Sequence, residues 1–190
     1  MSRVARIFAP TPTPTPGQPG PVVCMDPSYA TMIRCPHDSP PLLPQQEQLY
    51  VRCGPGAFLI TRSKNDNTVV YAPALDGKKA VDVYWMDISR RGGGPPVRSE
   101  LTWLEKTMAY GASVDGDSVR LVALPHLESV LAPGTPVRLV GTVGRRRCFL
   151  LRAYVRATEN LIGPPTVQWV NVHGIDCATG EEIVEKRVPG

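Results

Sequence analysis

Histidine and aromatic residues are scarce in this 190-residue chain: three histidines, three phenylalanines, and 6% aromatic residues in all. His37, His126 and His173 keep no motif spacing with a Cys, Ser or Asp. Neither a GxSxG elbow nor an HExxH helix is present. The glycines at 92–94 run into two prolines instead of Gly-Lys-Ser/Thr, so the chain has no phosphate-cradling P-loop. Five cysteines (Cys24, Cys35, Cys53, Cys148, Cys177) form no CxxC pair and leave one over. With no secretion signal beside them, they read as free thiols of a reducing compartment, and neither a metal site nor a cofactor is expected. No apolar run approaches the roughly 20 residues that a membrane-spanning helix needs. The net charge of +4 is too small to imply nucleic acid without clustering.

Proline, by contrast, is abundant, with 21 residues concentrated toward the start. From Ala9 to Pro44 it recurs every few positions, first as APTPTPTPG and last as SPPLLP. Proline fixes φ and removes a backbone donor, so residues 1–48 are expected as an extended, polyproline-like or disordered tail. Val22, Val23, Met25, Tyr29, Met32 and Ile33 are apolar anchors that a plain spacer does not need. They point to a stiff peptide lying along a partner's surface. The opening MSRVARIF carries two arginines and no acid, as a transit peptide does, but prolines interrupt it at once. A cytoplasmic protein is expected, with mitochondrial import as the alternative.

Residues 49–190 read as one β-rich domain. AFLITR, TVVYAP, AVDVYWMDI, VRLVAL, TPVRLVGT, RCFLLRAYVRAT, TVQWVNVHGI and EEIVEKRV are rich in β-branched, aliphatic or aromatic residues. Residues 99–110 alone read as a packed helix, with Ser99 as its cap, Leu101, Leu104 and Met108 on one face, and Gly111 as a left-handed stop. The pattern predicts a mainly β fold: an antiparallel sandwich or barrel of about seven or eight strands with one helix.

Two sets of side chains stand out. In the strand around 145–156, Phe149, Leu151, Ala153 and Val155 fall on one side, and Arg146, Arg152 and Arg156 on the other with Tyr154. Arg138 adds to the second set from the preceding strand, and no acid lies between Glu128 and Glu159. The four arginines therefore predict a basic surface suited to acidic protein, with nucleic acid disfavoured by the lack of an RNA-binding signature. The second set surrounds the stretch RSKNDN at 62–67. Ser, Asn and Asp suit a five-residue hairpin loop, because they tolerate left-handed backbone. Arg62 and Lys64 exceed what a turn requires; they either pin the hairpin to Glu105, Asp82 or Asp87 or meet a ligand or partner.

Three spaced motifs accompany that stretch. Arg62-Ser63-Lys64-Asn65 with Asn67 is followed by Val69 to Tyr71, then by Val81, Val83, Tyr84 and Trp85, then by Glu105, Ala109, Tyr110 and Gly111. The combination resembles the family of unknown function designated DUF4833 over roughly residues 56–188, and the proline-rich tail looks like an addition to it. The resemblance implies an intact domain and the importance of these positions, and it carries no chemistry. The candidate ligand or partner residues are thus Arg62, Lys64, Asn65, Asn67, Tyr84 and Glu105. No catalytic residue is assigned, although Glu105 with Tyr84 or Tyr110 would be the first acid–base pair to consider. The leading expectation is a non-catalytic domain that docks into a larger assembly through the tail and the arginines. The alternative is a small-molecule-binding barrel or sandwich, conceivably an enzyme.

Overall fold

The computed structural model describes Ser39 and residues 56–63, 65–73, 79–87, 97–134, 136–161 and 165–189; within 65–67 it describes the backbone alone. The tail at 1–48, apart from Ser39, lies outside the described residues, as does Lys64. Eleven strands follow in order: β1 (Phe58–Arg62), β2 (Asn65–Pro73), β3 (Val81–Asp87), β4 (Val97–Glu100), β5 (Ala112–Asp115), β6 (Ser118–Leu121), β7 (Ser129–Ala132), β8 (Arg138–Val143), β9 (Arg146–Thr158), β10 (Thr166–Asp176) and β11 (Glu182–Arg187). Each of the eight composition-rich runs holds one of these strands. The count rises above seven or eight because β4, β5 and β7 have only four residues each, too few to show an alternation.

β9 organises the sheet. It is thirteen residues long and carries β10 along one edge, with β11 beyond. Its other edge is divided: Arg146–Phe149 pairs with β8, and Arg152–Val155 pairs with β1. The resulting order is β4-β3-β2-β1-β9-β8-β7-β6-β5, two meanders that share one strand and curl toward each other. The β1–β9 pair is parallel, which corrects the expectation of a purely antiparallel sheet. Opposite β10, Leu151 has no counterpart between Leu150 and Arg152, so a bulge lies where the two meanders meet. Gly174 faces this bulge. A Cβ there would come within 2.7 Å of the Cys148 Cβ and 2.8 Å of the Phe149 carbonyl oxygen, so no larger residue fits without a backbone shift.

The bulge overturns the expected division of β9 into an apolar and a basic face. Cys148, Leu150, Ala153 and Val155 belong to the core inside the curl, whereas Phe149 and Leu151 belong to a second cluster on the opposite face. Both faces of β9 are buried from Cys148 to Tyr154. Inside the curl, Phe58, Ile60, Val69 and Tyr71 meet Leu121, Leu139, Val143 and Val172. The opposite cluster unites Leu59, Val70, Tyr84 and Met86 with Phe149 and Ile175. Burial pushes the Cys148 thiol up to about 11, with Asp176 adding to the effect. It is a free, protonated thiol at neutral pH, as is usual for a buried structural cysteine.

The helix is shorter than the sequence suggests. Thr102, not Ser99, caps it: its hydroxyl accepts from the Glu105 N–H, and the Glu105 carboxylate accepts from the Thr102 N–H. α1 (Trp103–Glu105) then widens into a π-helical turn over Lys106–Tyr110. Gly111 is extended (φ −62°, ψ 164°) and is not a left-handed stop; a Cβ there would meet the Lys106 carbonyl oxygen. Of the expected apolar stripe only Leu101 is buried, while Leu104 and Met108 face solvent with Trp103. No described helix is long and apolar enough to cross a membrane.

An apolar cavity with one unpaired arginine as the candidate functional site

Between the inner faces of β1, β2, β9 and β10 and the chain at 109–126 lies a half-open cavity of about 600 Å³. That volume is within the range of small-ligand sites. Ile60, Val69, Val155 and Val170 project from the strands, and Leu124 and Pro125 close the far side. The positioning follows from period two: Ile60 and Arg62 alternate onto one face of β1, as Val155 and Ala157 do on β9. At the rim are Val167, Val188 and Pro189.

The polar groups here are few. Arg62 lines the cavity, half-buried, and its Nε is shielded from solvent with no hydrogen-bond partner among the described residues. Two of the three acids expected to pin it, Asp82 and Glu105, are bonded elsewhere. Asp82 pairs with Arg98, and Glu105 accepts from Thr102 and from the Trp85 indole N–H at 3.1 Å. The Thr102 backbone bond chiefly holds the Glu105 carboxyl below its ordinary range, so it is ionised at neutral pH. Trp85 in turn stacks edge-on against Tyr110, with ring centroids 5.0 Å apart. Burial pushes the Tyr110 phenol upward; Arg62 opposes this and Glu105 adds to it. The Tyr110 carbonyl accepts from the Tyr71 hydroxyl at 2.7 Å, which fastens the π-turn to β2. Arg187, also in the wall, bonds Glu185 and the Thr142 carbonyl through Nη2.

The expected site residues divide accordingly. Arg62 lines the cavity, and Glu105 orients its Trp85 wall. Tyr84 does not take part: it points to the opposite cluster beneath the Arg98 guanidinium, and its neighbour Trp85 faces the cavity instead. Asn65 and Asn67 are strand residues of β2, paired with Arg62 and Asp87, so the turn is shorter than the five residues expected; Lys64 lies outside the described residues. Ser63 has a structural task. Its N–H donates to the Val155 carbonyl, and its hydroxyl both accepts from the Ala157 N–H and donates to the Ala157 carbonyl. Sequence reasoning missed Val155 and Val170 as cavity residues and gave no signal at all for Leu124, Pro125 and His126.

The basic surface needs correction. Arg138 and Arg152 are buried, at 7% and 3% exposure, and Arg138 stacks on Phe149. Burial follows from the bulge, which leaves no solvated face in the middle of β9. Arg146 is bonded to Asp176 at 3.0 Å, beside Glu181. Of the four, Arg146 and Arg156 are exposed, and Arg146 is engaged by acids of β10 and the following turn.

On the face of β10 away from the cavity, Asn171 and His173 contact Ser39 from the N-terminal region. His173 Nδ1 lies 3.0 Å from Glu182 Oε1, and its Nε2 lies 3.0 Å from Ser39 Oγ. Asn171 donates to the same Oγ at 2.8 Å. Because the carboxylate only accepts, Nδ1 carries a proton, while Nε2 and the Ser39 hydroxyl share the second bond. The order serine, histidine, glutamate is that of a hydrolytic triad. However, Ser39 and His173 are 3% and 0% exposed, and neither lines the cavity. The arrangement is a buried tether for the chain at residue 39.

Comparison with curated proteins and with solved structures returned no match. The domain of unknown function DUF4833 matches residues 58–186, which takes in every strand from β1 to nearly the end of β11 and all the cavity's strand residues but Arg187. The chain belongs to the DUF4833 family.

Proposed function

We propose that this domain binds a small, largely apolar molecule in the cavity between β1, β2, β9 and β10. The observation that carries the reading is the cavity itself: about 600 Å³, walled mainly by aliphatic side chains, with very few polar groups. A core of this size ordinarily closes over such a space, because unfilled apolar volume forfeits dispersion contacts and destabilises the fold. Persistence of the space fits an occupant that supplies those contacts. Trp85 and Tyr110 add a flat aromatic wall held by Glu105 and Tyr71.

A second reading, a non-catalytic domain docking into an assembly, draws on Trp103, Leu104 and Met108, exposed at 76%, 58% and 74% on one helical turn. The arginine surface no longer supports it. Native mass spectrometry of protein purified from its own cells separates the two readings. A small-molecule adduct that is absent from a Val170→Trp variant supports the cavity. A bare wild-type mass, with no small molecule in the denatured extract, counts against it, and a stable protein partner would favour docking.

A further inference from the structure

We infer that the cavity's ligand is an amphipathic monocarboxylate, with its carboxylate held by Arg62 and its apolar body along the β9–β10 wall. This inference rests on the small-molecule reading and specifies its chemistry.

Arg62 is the reason. A guanidinium at the edge of apolar space is costly to desolvate unless its donors are bonded. Here Nε is sequestered from water and lacks a partner among the described residues. Nearby Glu105 is already committed to Thr102 and Trp85. A carboxylate approaching the side of the guanidinium would take two parallel N–H donors at once, the orphaned Nε–H among them. A neutral hydroxyl or carbonyl offers a single oxygen and no charge, so it cannot make the two parallel, charge-assisted bonds.

The charge count favours one negative group. Arg187 is the second cation in the wall, and its Nε too is shielded without a partner among the described residues, but its Nη2 is held by Glu185 at 2.8 Å and by the Thr142 carbonyl. Glu105, ionised nearby, spends its carboxylate on Thr102 and Trp85, so Arg62 is a cation without a bonded counter-ion among the described residues. One such cation beside apolar walls suits a monoanion better than a phosphate or a dicarboxylate, whose second charge would be buried without a partner. The body of the ligand follows from the space. At roughly 30 Å³ per non-hydrogen atom, the share of one water in the liquid, the cavity holds about twenty such atoms. Because it is half open, a chain or ring system of about a dozen carbons fits with its end near the rim. Val167, Val188 and Pro189 make that rim apolar as well.

The test is binding of three probes of equal length to the full chain below their micelle concentrations: dodecanoate, 1-dodecanol and dodecyltrimethylammonium. Isothermal titration reads affinity, and tryptophan fluorescence reads contact with Trp85. Dodecanoate is expected to bind at least tenfold more tightly than the alcohol, and the cation more weakly than either. In Arg62→Gln the acid should lose that advantage while the alcohol binds as before. Equal affinity of acid and alcohol for the wild type overturns the carboxylate assignment and leaves the cavity reading standing. Failure of all three probes overturns both. An undiminished preference for the acid in Arg62→Gln removes Arg62 as the anchor and with it this inference. The wild-type comparison needs no variant, so a misfolded Arg62→Gln would leave the selectivity test intact.

Discussion

The two faces of β10 treat polar groups in opposite ways. On one face, His173 is sealed from solvent with both ring nitrogens bonded, to Ser39 and Glu182; the Asn171 amide N–H donates to the same Ser39 hydroxyl, though its Oδ1 has no partner among the described residues. On the other, Val170 and Val167 look into open apolar space across which Arg62 Nε has no partner among the described residues. The first arrangement belongs to structure, since a buried polar side chain whose partners are in place specifies one packing. The second is what a protein keeps only at a price in stability, and such local conflicts mark functional positions. Deleting a side chain should therefore have opposite consequences on the two faces.

The largest effect is expected from His173→Ala. It leaves Ser39 and Glu182 without their common partner and opens a hole in a fully buried site. A loss of about 3 kcal/mol is expected, seen as a lower urea midpoint with an unchanged slope. A shift of under half a kilocalorie would show that the network is not structural.

A smaller effect is expected from Asp176→Asn, beside the polar face. Its carboxyl lies below the ordinary range chiefly because the Ala178 N–H bonds it, with Arg146 adding to the effect. A depressed folded value stabilises above the unfolded value, about 3.9, and that contribution is lost as pH falls through the folded value. The variant should be less stable than the wild type at pH 7, and the gap should close on acidification below pH ~4. A gap independent of pH would assign the loss to geometry instead of charge.

The smallest change should come from Arg62→Met on the cavity face. Replacing an unpaired guanidinium with an apolar side chain of similar length should leave stability unchanged or raise it by up to about 1 kcal/mol. Thermal denaturation of the ligand-free protein reads this directly. A marked loss would mean that Arg62 is pinned after all, and the contrast between the faces would fail.

Parts of this were legible in the residues. Eight runs of β-branched, aliphatic and aromatic residues hold strands, because a pleated, half-buried surface selects those types locally. Arg62 and Lys64 stand out for charges that a turn does not need, and Arg62 does line the cavity, while Lys64 lies outside the described residues. The choice of Tyr84 over Trp85 failed because alternation says that neighbours face opposite ways without saying which face encloses a cavity. The arginine surface failed because Leu151 inserts an extra residue and shifts the alternation along β9. A bulge depends on the partner strand's register, which no window of β9 alone contains. Leu124 and Pro125 carry no sign of their place opposite β9 and β10, since they reach it only once both meanders have curled.

By itself, then, the chain's sequence determined the β class, the positions of its longer strands and the family signature around Arg62, all of which arise from backbone preference and period two. Only the tertiary structure decided which side chains share a space. It joined two meanders through β9, turned Trp85 inward and Tyr84 outward, buried Arg138 and Arg152, and set Ser39 against His173. Burial and pairing are sums over residues distant in sequence, and those sums exist only after the sheet has curled.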